Sequence, residues 1–461
     1  MKRIAIIGGG VTGLSAAFYL EKARRAGVDL SFTVFEQSDR LGGALLTEQV
    51  DDCVVEAGAD SFLTEKPWVA ELCQELGIGD QLLGSNDTQR QTFIVRNNKL
   101  IPLPGGISFF VPTDETGIQE SDLFSSVGKK RILRERSYRP NNESPTDISV
   151  GDFVERHFGS EMLERVADPL LAGIYGGNAR HLSMRAVMPK FLEMERRYGS
   201  LIKALSDSTV SVRTTSPLFT SLKDGMRQLV GALQAQLPAN AIHMRTEVAG
   251  LDFTSNKWRL TAETTKHEFD ALIVATPAYS AARLLKGVSP NAARLLRKIP
   301  YSSSVTVALC FAKGSLPAIQ GFGFLVPRRE SHRALACTFV HNKFPNRVPG
   351  DRTLLRVFFG GVHDEAAVRL SERDLVRLAR SELKTLLKIR SEPLFVRVHR
   401  WPRAMPQYNV GHPELRRKIA VGTAELKGLV LAGSAYQGVG VSDCVRQGRD
   451  AARQVTGATG T

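Results

Sequence analysis

The sequence predicts an α/β domain with a parallel sheet, joined to an α+β region made of a mixed-sheet domain and an inserted helical lobe. Three observations predict it. The N-terminus reads as strand, glycine turn, helix, strand, a β-α-β unit. Two short apolar runs that would extend its sheet, at 271–275 and 429–432, return only far downstream. The residues in between divide into strand-like segments and a mostly helical stretch at 150–205.

Taken in order, residues 2–7 are a short run ending in Ile6-Ile7 and bounded by glycines, which reads as a buried strand. Residues 14–26 are rich in Ala and Leu and stop at Gly27, the pattern of a helix with a glycine terminator. Residues 31–36 alternate Phe32 and Val34 with polar partners and end in Glu36, a second strand. The spacing predicts a helix over 65–83, a hairpin over 92–103 turned at Asn97-Asn98, and an exposed loop at 140–147. Helix dominates 150–205 with a break at 173–178. Strands are expected at 242–253, 258–264, 305–311, 323–326, 354–359 and 395–398, an amphipathic helix at 371–387 and a last helix at 442–455. A parallel sheet needs both faces covered, so the N-terminal unit must recruit the downstream strands. The expected division is a discontinuous domain of 1–65, 217–285 and 420–461, a second domain of 66–105 and 286–419, and a helical lobe of 106–216.

The chain has 461 residues, 43% hydrophobic and 23% charged, an ordinary globular mix too long for one core. A net charge of +14 favours anionic partners, but the basic residues are scattered. The densest run, Lys129 to Arg139, has no interleaved aromatics, so no nucleic-acid partner is expected. Five widely spaced cysteines argue for free thiols and a cytoplasmic setting. No leader pattern and no apolar run of membrane-spanning length is visible. The nine histidines show no metal-ligand spacing, and no serine sits in a nucleophile elbow, so no metal and no covalent catalyst are expected.

The chemistry lies in the glycine turns. Gly8-Gly9-Gly10-Val11-Thr12-Gly13 follows a strand and opens a helix, and Glu36 closes the next strand 23 residues later. Gly8 permits the turn, Gly10 lets backbone approach a pyrophosphate at the helix N-terminus, Gly13 permits close helix–strand packing, and Glu36 accepts from a ribose hydroxyl. Arg40-Leu41-Gly42-Gly43 adds a second glycine turn, and Gly58-Ala59-Asp60-Ser61 another small-residue approach, which suits a cofactor longer than a nicotinamide dinucleotide. Leu429 to Tyr436 followed by Gly438-Val439-Gly440-Val441 gives a strand, a turn and a helix start whose N–H groups would favour negative charge on a flavin ring. Together these predict FAD. Gly321-Phe322-Gly323 neither follows a strand nor opens a helix, so no second dinucleotide site is expected.

With these motifs, the chain resembles the porphyrinogen-oxidising flavoenzymes, which share a Rossmann-type fold with amine oxidases and phytoene desaturases. The resemblance runs nearly end to end. Its most specific pieces are Asp168 to Asn178, Leu182-Ser183-Met184, Arg400-Trp401-Pro402, Met405 to His412 and Gly438 to Cys444. It implies non-covalent FAD, held by the residues above and also by Gln37, Ala44, the backbone of Val248, and Trp401. It implies oxidation of a porphyrinogen to a porphyrin in haem biosynthesis, with oxygen as acceptor. Flavin performs that chemistry, and the protein holds a flat apolar ring and its carboxylates. Ala59 stands where the family usually has Pro, Asn178 where it has Asp, and 108–147 matches poorly.

Segments resembling the family's pocket offer Phe322, Phe324, Leu325 and Phe358 as ring-stackers. Lys66, Arg90 and Lys99 are candidate carboxylate partners. Tyr175 and Asn178 lie on a glycine-rich break where a backbone carbonyl can accept a pyrrole N–H. Two substrates compete: coproporphyrinogen III, with four propionates, and protoporphyrinogen IX, with two. The basic balance favours the first, as does the likeness of 336–345 and 405–412 to the coproporphyrin-forming bacterial branch. More distant rivals are an amine oxidase, which would show an aromatic cage where only Tyr436 stands, a carotenoid desaturase, and a flavin-fold carrier without redox activity. Peripheral membrane contact and hand-over of product to a downstream chelatase stay open.

Overall fold

In the computed structural model, which describes residues 1–140, 147–206 and 216–457, the apolar runs Lys2–Ile7 and Leu30–Phe35 lie side by side and parallel. The helix Val11–Arg25 connects them. The sheet is completed as expected by distant strands, Ala271–Val274 on one side and then Leu429–Leu431, with Ile242–His243 at the other edge, all parallel. Its central strands are buried on both faces, which explains their continuous Ile, Val and Leu content. One face packs under the first helix and the last, Val441–Thr456. The other is covered by the antiparallel meander of Val248–Thr254, Lys257–Ala262 and Thr265–Phe269 and by the helices Ala278–Leu284 and Pro290–Leu296.

The second sheet has seven strands, ordered Phe395–Pro406, Tyr301–Ala312, Arg352–Gly360, Ala336–Phe339, Gly323–Leu325, Thr92–Arg96 and Lys99–Pro102. It is mixed, with one parallel pairing between Gly323–Leu325 and Thr92–Arg96. The predicted hairpin turns where expected: Asn97 and Asn98 both take positive φ, 50° and 59°, the geometry that right-twisted two-residue hairpins demand. The helix Glu372–Leu387 is capped by Ser371 Oγ, which accepts from the Asp374 N–H. It lays Leu375, Ala379, Leu383 and Leu386 on one face of this sheet. A third core fills the helical lobe, from Ser126–Leu133 through Val150–Phe158 and Asp168–Tyr175 to Leu201–Ser206.

Several expectations change. The helix expected over 65–83 is only Trp68–Glu75, and Leu82–Gly84 turns into a strand beside Phe219–Leu222. The strand expected over 242–253 is two strands in different sheets. Val69, Leu72 and Cys73 sit in the core of the parallel-sheet domain, as do Leu295 and Ile419 on its other face. These residues lie inside the segments 66–105 and 286–419 expected for the second domain, yet they pack with the parallel sheet: tertiary packing, not composition, assigns these helices. The loop expected at 140–147 lies largely outside the described residues. Among the described residues no helix is long and apolar enough to cross a membrane, and no group of three metal-ligating side chains occurs. All five cysteines are unpaired and buried.

Candidate active site

The first helix starts at Val11 with Gly10 as N-cap and no side chain bonded to its free N–H groups. A Cβ on Gly10 would meet nothing within 4 Å, whereas one on Gly13 would lie 1.9 Å from the Gly8 carbonyl oxygen. Gly13 is thus required by packing, and Gly10 faces open space at a helix N-terminus, where an anion is stabilised. The second glycine turn closes over the first: the Gly42 N–H donates to the Gly9 carbonyl at 2.8 Å, and a Cβ on Gly43 would reach Gly10 Cα at 3.4 Å. Glu36 is fixed at the rim, its carboxylate accepting from the Gly9 N–H at 2.7 Å and from the Ser38 N–H at 2.8 Å. Gln37 is exposed beside it, and Arg40 is half-buried with its guanidinium 6.0 Å from the Trp401 ring centre. Ala44, exposed, presents its carbonyl to Gly58, where a Cβ would come within 2.0 Å of it. Val248 is core by side chain, and the strand pairing shifts register between it and Gly250. This cradle fits a dinucleotide.

Along the sheet, the Trp401 indole N–H donates to the Ala57 carbonyl at 2.9 Å and its ring lies against Gly58. The last helix begins at Val441 with Gly440 as N-cap, again without a side-chain cap, directly after Val439. The two uncapped helix starts, Val11 and Val441, are neighbours: Cys444 in the first turn of the last helix meets Thr12 in the first turn of the first. Tyr408 pins the turn leading into the last helix. Its hydroxyl donates to the Ser434 carbonyl at 2.5 Å and accepts from the Gly438 N–H at 2.9 Å. The ring stacks on His412, centroids 4.1 Å apart and 11° between planes. Tyr408→Phe removes both bonds, each worth about 1–3 kcal/mol when its partner is left buried. The expected result is flavin affinity lowered at least about tenfold with the fold intact, read by titrating apoprotein with cofactor and following fluorescence.

Burial pushes the His412 imidazole down to about 4, against a hydrogen bond to the Tyr436 backbone. The folded value lies below the free one of about 6.5, so the folded state prefers the neutral ring. Its stabilising contribution, about 3 kcal/mol, is fully present above pH ~6.5 and is lost as pH falls through ~4. Melting temperature measured from pH 7 to 4 should fall more steeply in the parent than in His412→Phe, which keeps the stack and cannot titrate.

The seven-stranded sheet separates the ring-stacking candidates by strand alternation. Phe324 packs among Phe339, Val357 and Leu383 on the face under helix Glu372–Leu387. It is core, which corrects its expected place in the pocket. Leu325 and Phe358 lie in one row on the opposite face, through Ala336. There Leu325 meets the helical lobe: a Cβ on Gly173 would be 3.2 Å from its side chain. Phe322, buried, precedes that strand and bonds through its N–H to the Gln91 carbonyl.

The Lys66 ammonium is held by Asp443 at 2.7 Å, and the Lys66 carbonyl accepts from Ser442 Oγ. It clamps the first turn of the last helix, a partner that sequence spacing did not offer. Arg90 is exposed, 3.8 Å from Asp87, and Lys99 is exposed next to the hairpin tip. Burial raises the Tyr175 hydroxyl to about 12, assisted by the negative Asp443 nearby. The Tyr175 carbonyl already accepts from the Gln407 amide at 2.7 Å, and the Asn178 carbonyl accepts from the His181 N–H at 2.9 Å and the Leu182 N–H at 3.1 Å. Both candidate acceptors therefore serve the loop's own structure. Asp60 and Ser61 face buried Lys343 and Arg356. These two cations were missed, although a lone arginine in the apolar strand Leu354-Leu355-Arg356-Val357-Phe358 was a usable signal.

The sequence pattern of the family described as flavin containing amine oxidoreductase matches residues 11–456. The coproporphyrinogen III oxidase of Bacillus subtilis (strain 168) is 33% identical over 98% of this chain and 97% of its own length. The protein of the same name from Staphylococcus aureus is 30% identical over 98% of this chain and 99% of its own length. A crystal structure from Exiguobacterium sp. 255-15, provisionally assigned as a protoporphyrinogen oxidase, superposes with a TM-score of 0.89 at 29% identity, covering 99% of each chain.

Proposed function

The chain belongs to the flavin-containing amine oxidoreductase family, and on that premise we propose that it binds FAD non-covalently and oxidises coproporphyrinogen III to coproporphyrin III in haem biosynthesis, with oxygen as acceptor. The observation that carries the reading is likeness at 33% and 30% identity to two coproporphyrinogen III oxidases over 98% of this chain. Bound FAD would supply two-electron oxidation of a meso carbon. The chain's own residues bind and orient. Gly10, Gly43 and the N–H groups at Val11 and Thr12 take the pyrophosphate, and Glu36 the ribose. Loop 57–61, Trp401 and the last helix start flank the flavin ring. Phe358 and Leu325 form an apolar wall for the tetrapyrrole, and the helical lobe closes that wall from water.

The net positive charge supports the more acidic substrate. A net charge of +14 lowers the cost of gathering a tetracarboxylate, and Arg90 keeps an exposed guanidinium. A cytoplasmic setting is part of this reading, supported by five cysteines that are all buried and unpaired. Oxygen-coupled turnover, followed by porphyrin fluorescence with coproporphyrinogen III and protoporphyrinogen IX side by side, tests the reading. A higher kcat/KM for coproporphyrinogen III is expected. Preference for protoporphyrinogen IX would favour the second reading, which the Exiguobacterium likeness motivates. Turnover of neither by yellow protein would overturn both.

A further inference from the structure

On the sheet face that carries Phe358, two residues back along the strand, Arg356 is 2% exposed. Its guanidinium donates to Asp60 Oδ2 at 3.2 Å and to the Gly58 carbonyl at 2.8 Å. Its Nε has no hydrogen-bond partner. Lys343 places its ammonium 3.1 Å from both Asp60 oxygens and 3.3 Å from Ser61 Oγ. Alongside, Arg347 is bound to Glu56 at 2.8 Å, both buried. Arg347 and Glu56 cancel. Asp60 alone then answers two cations, so the cluster holds one positive charge in excess.

Burial draws both Lys343 and Arg356 below their ordinary values, with Asp60 the main group opposing it. Burial alone would raise Asp60; Lys343 and Arg356 outweigh it and hold its carboxyl far below the carboxylate range. The carboxylates that act most on the two cations are Asp60 and Glu56. An uncompensated buried charge is costly. Its position is informative: Arg356 holds the carbonyl of Gly58, and Trp401, from the same sheet, holds that of Ala57. The excess charge sits immediately behind loop 57–61.

We propose that Lys343 and Arg356 are positioning residues for flavin redox chemistry: their one excess positive charge is matched by the negative charge the flavin ring gains on taking two electrons and one proton. The cluster thereby raises the flavin's reduction potential and favours its reduced form. The idea rests on flavin binding at this loop, not on the identity of the substrate, so a failed porphyrinogen assay leaves it standing.

The test is the ratio of dissociation constants for reduced and oxidised FAD, with the midpoint potential by dye equilibration, in the parent, Lys343→Met, Lys343→Arg and Asp60→Asn. Lys343→Met should lose at least about tenfold of the preference for reduced FAD, a fall of about 30 mV for a two-electron couple. Lys343→Arg should keep the preference. Asp60→Asn adds to the excess and should shift the potential upward. That opposite sign separates charge from structural damage, and it carries the test if Lys343→Met does not fold. Shifts in the same direction, or no shift in either, would overturn the proposal. So would an unchanged potential with weakened coproporphyrin III binding, which would give the charge to a substrate carboxylate instead.

Discussion

Gly10→Asp should yield a folded, colourless protein. The Cβ position at Gly10 points into open space, so the side chain costs the apoprotein little. Its carboxylate then stands at the uncapped start of the helix Val11–Arg25, where the cofactor's pyrophosphate would bind. Juxtaposing like charges costs several kcal/mol, so flavin affinity should fall by about a thousandfold or more. The measurements are the visible flavin absorbance of purified protein, and far-UV circular dichroism to show that the fold survives. Full flavin content in a well-folded mutant would remove this glycine from the cofactor site. Gly13→Ala is the control with the opposite profile. Its new methyl would collide with the Gly8 carbonyl oxygen at 1.9 Å, so strand and helix must separate and stability falls along with flavin.

Arg347→Ala is expected to be the most destabilising single truncation away from the glycine turns. Arg347 is fully buried and ties three pieces of chain together. Its guanidinium donates to Glu56 at 2.8 Å and to Ser221 Oγ and the Leu222 carbonyl at 2.6 Å each, while its own carbonyl accepts from the Val54 N–H. Glu56 also accepts from the Met226 N–H at 2.7 Å and from Thr47 Oγ1 at 2.8 Å. Removing the arginine leaves that buried carboxylate without its direct ion-pair partner, at a cost of about 3–5 kcal/mol, against a typical total stability of roughly 5–15 kcal/mol. Urea denaturation should show a lowered midpoint. Arg347→Met combined with Glu56→Gln should recover part of the loss, because a neutral amide still serves Met226 and no charge is stranded. A change below about 1 kcal/mol in Arg347→Ala would show that the pair carries little energy.

The legible parts of the site were those that backbone chemistry imposes on composition. A glycine turn between a strand and a helix can be read because few other residues fit it, and Glu36 because it ends the next strand. Asn97-Asn98 announced its hairpin because both must take positive φ. The positions that misled are those where one residue type suits two surroundings. Phe324 and Phe358 belong to strands of one sheet that flank Ala336–Phe339 on either side, and they look alike in sequence. Register sends the first under a helix and the second to the face that carries Arg356. Lys66 reads as a free cation until the last helix, 377 residues away, brings Asp443 to it.

By itself, then, the sequence determined the β-α-β unit, the two downstream strands that complete its sheet, the glycine turns at the helix starts and the family likeness, because each depends on local steric rules or on motifs carried along the chain. The tertiary structure alone decided which cations are paired, on which face of the sheet each aromatic lies, and which core each helix joins. Those are properties of contacts between distant segments. The cluster of Asp60, Lys343 and Arg356 is the clearest case: its members lie in a loop, a short helix and a strand, and only packing sums their charges in one place.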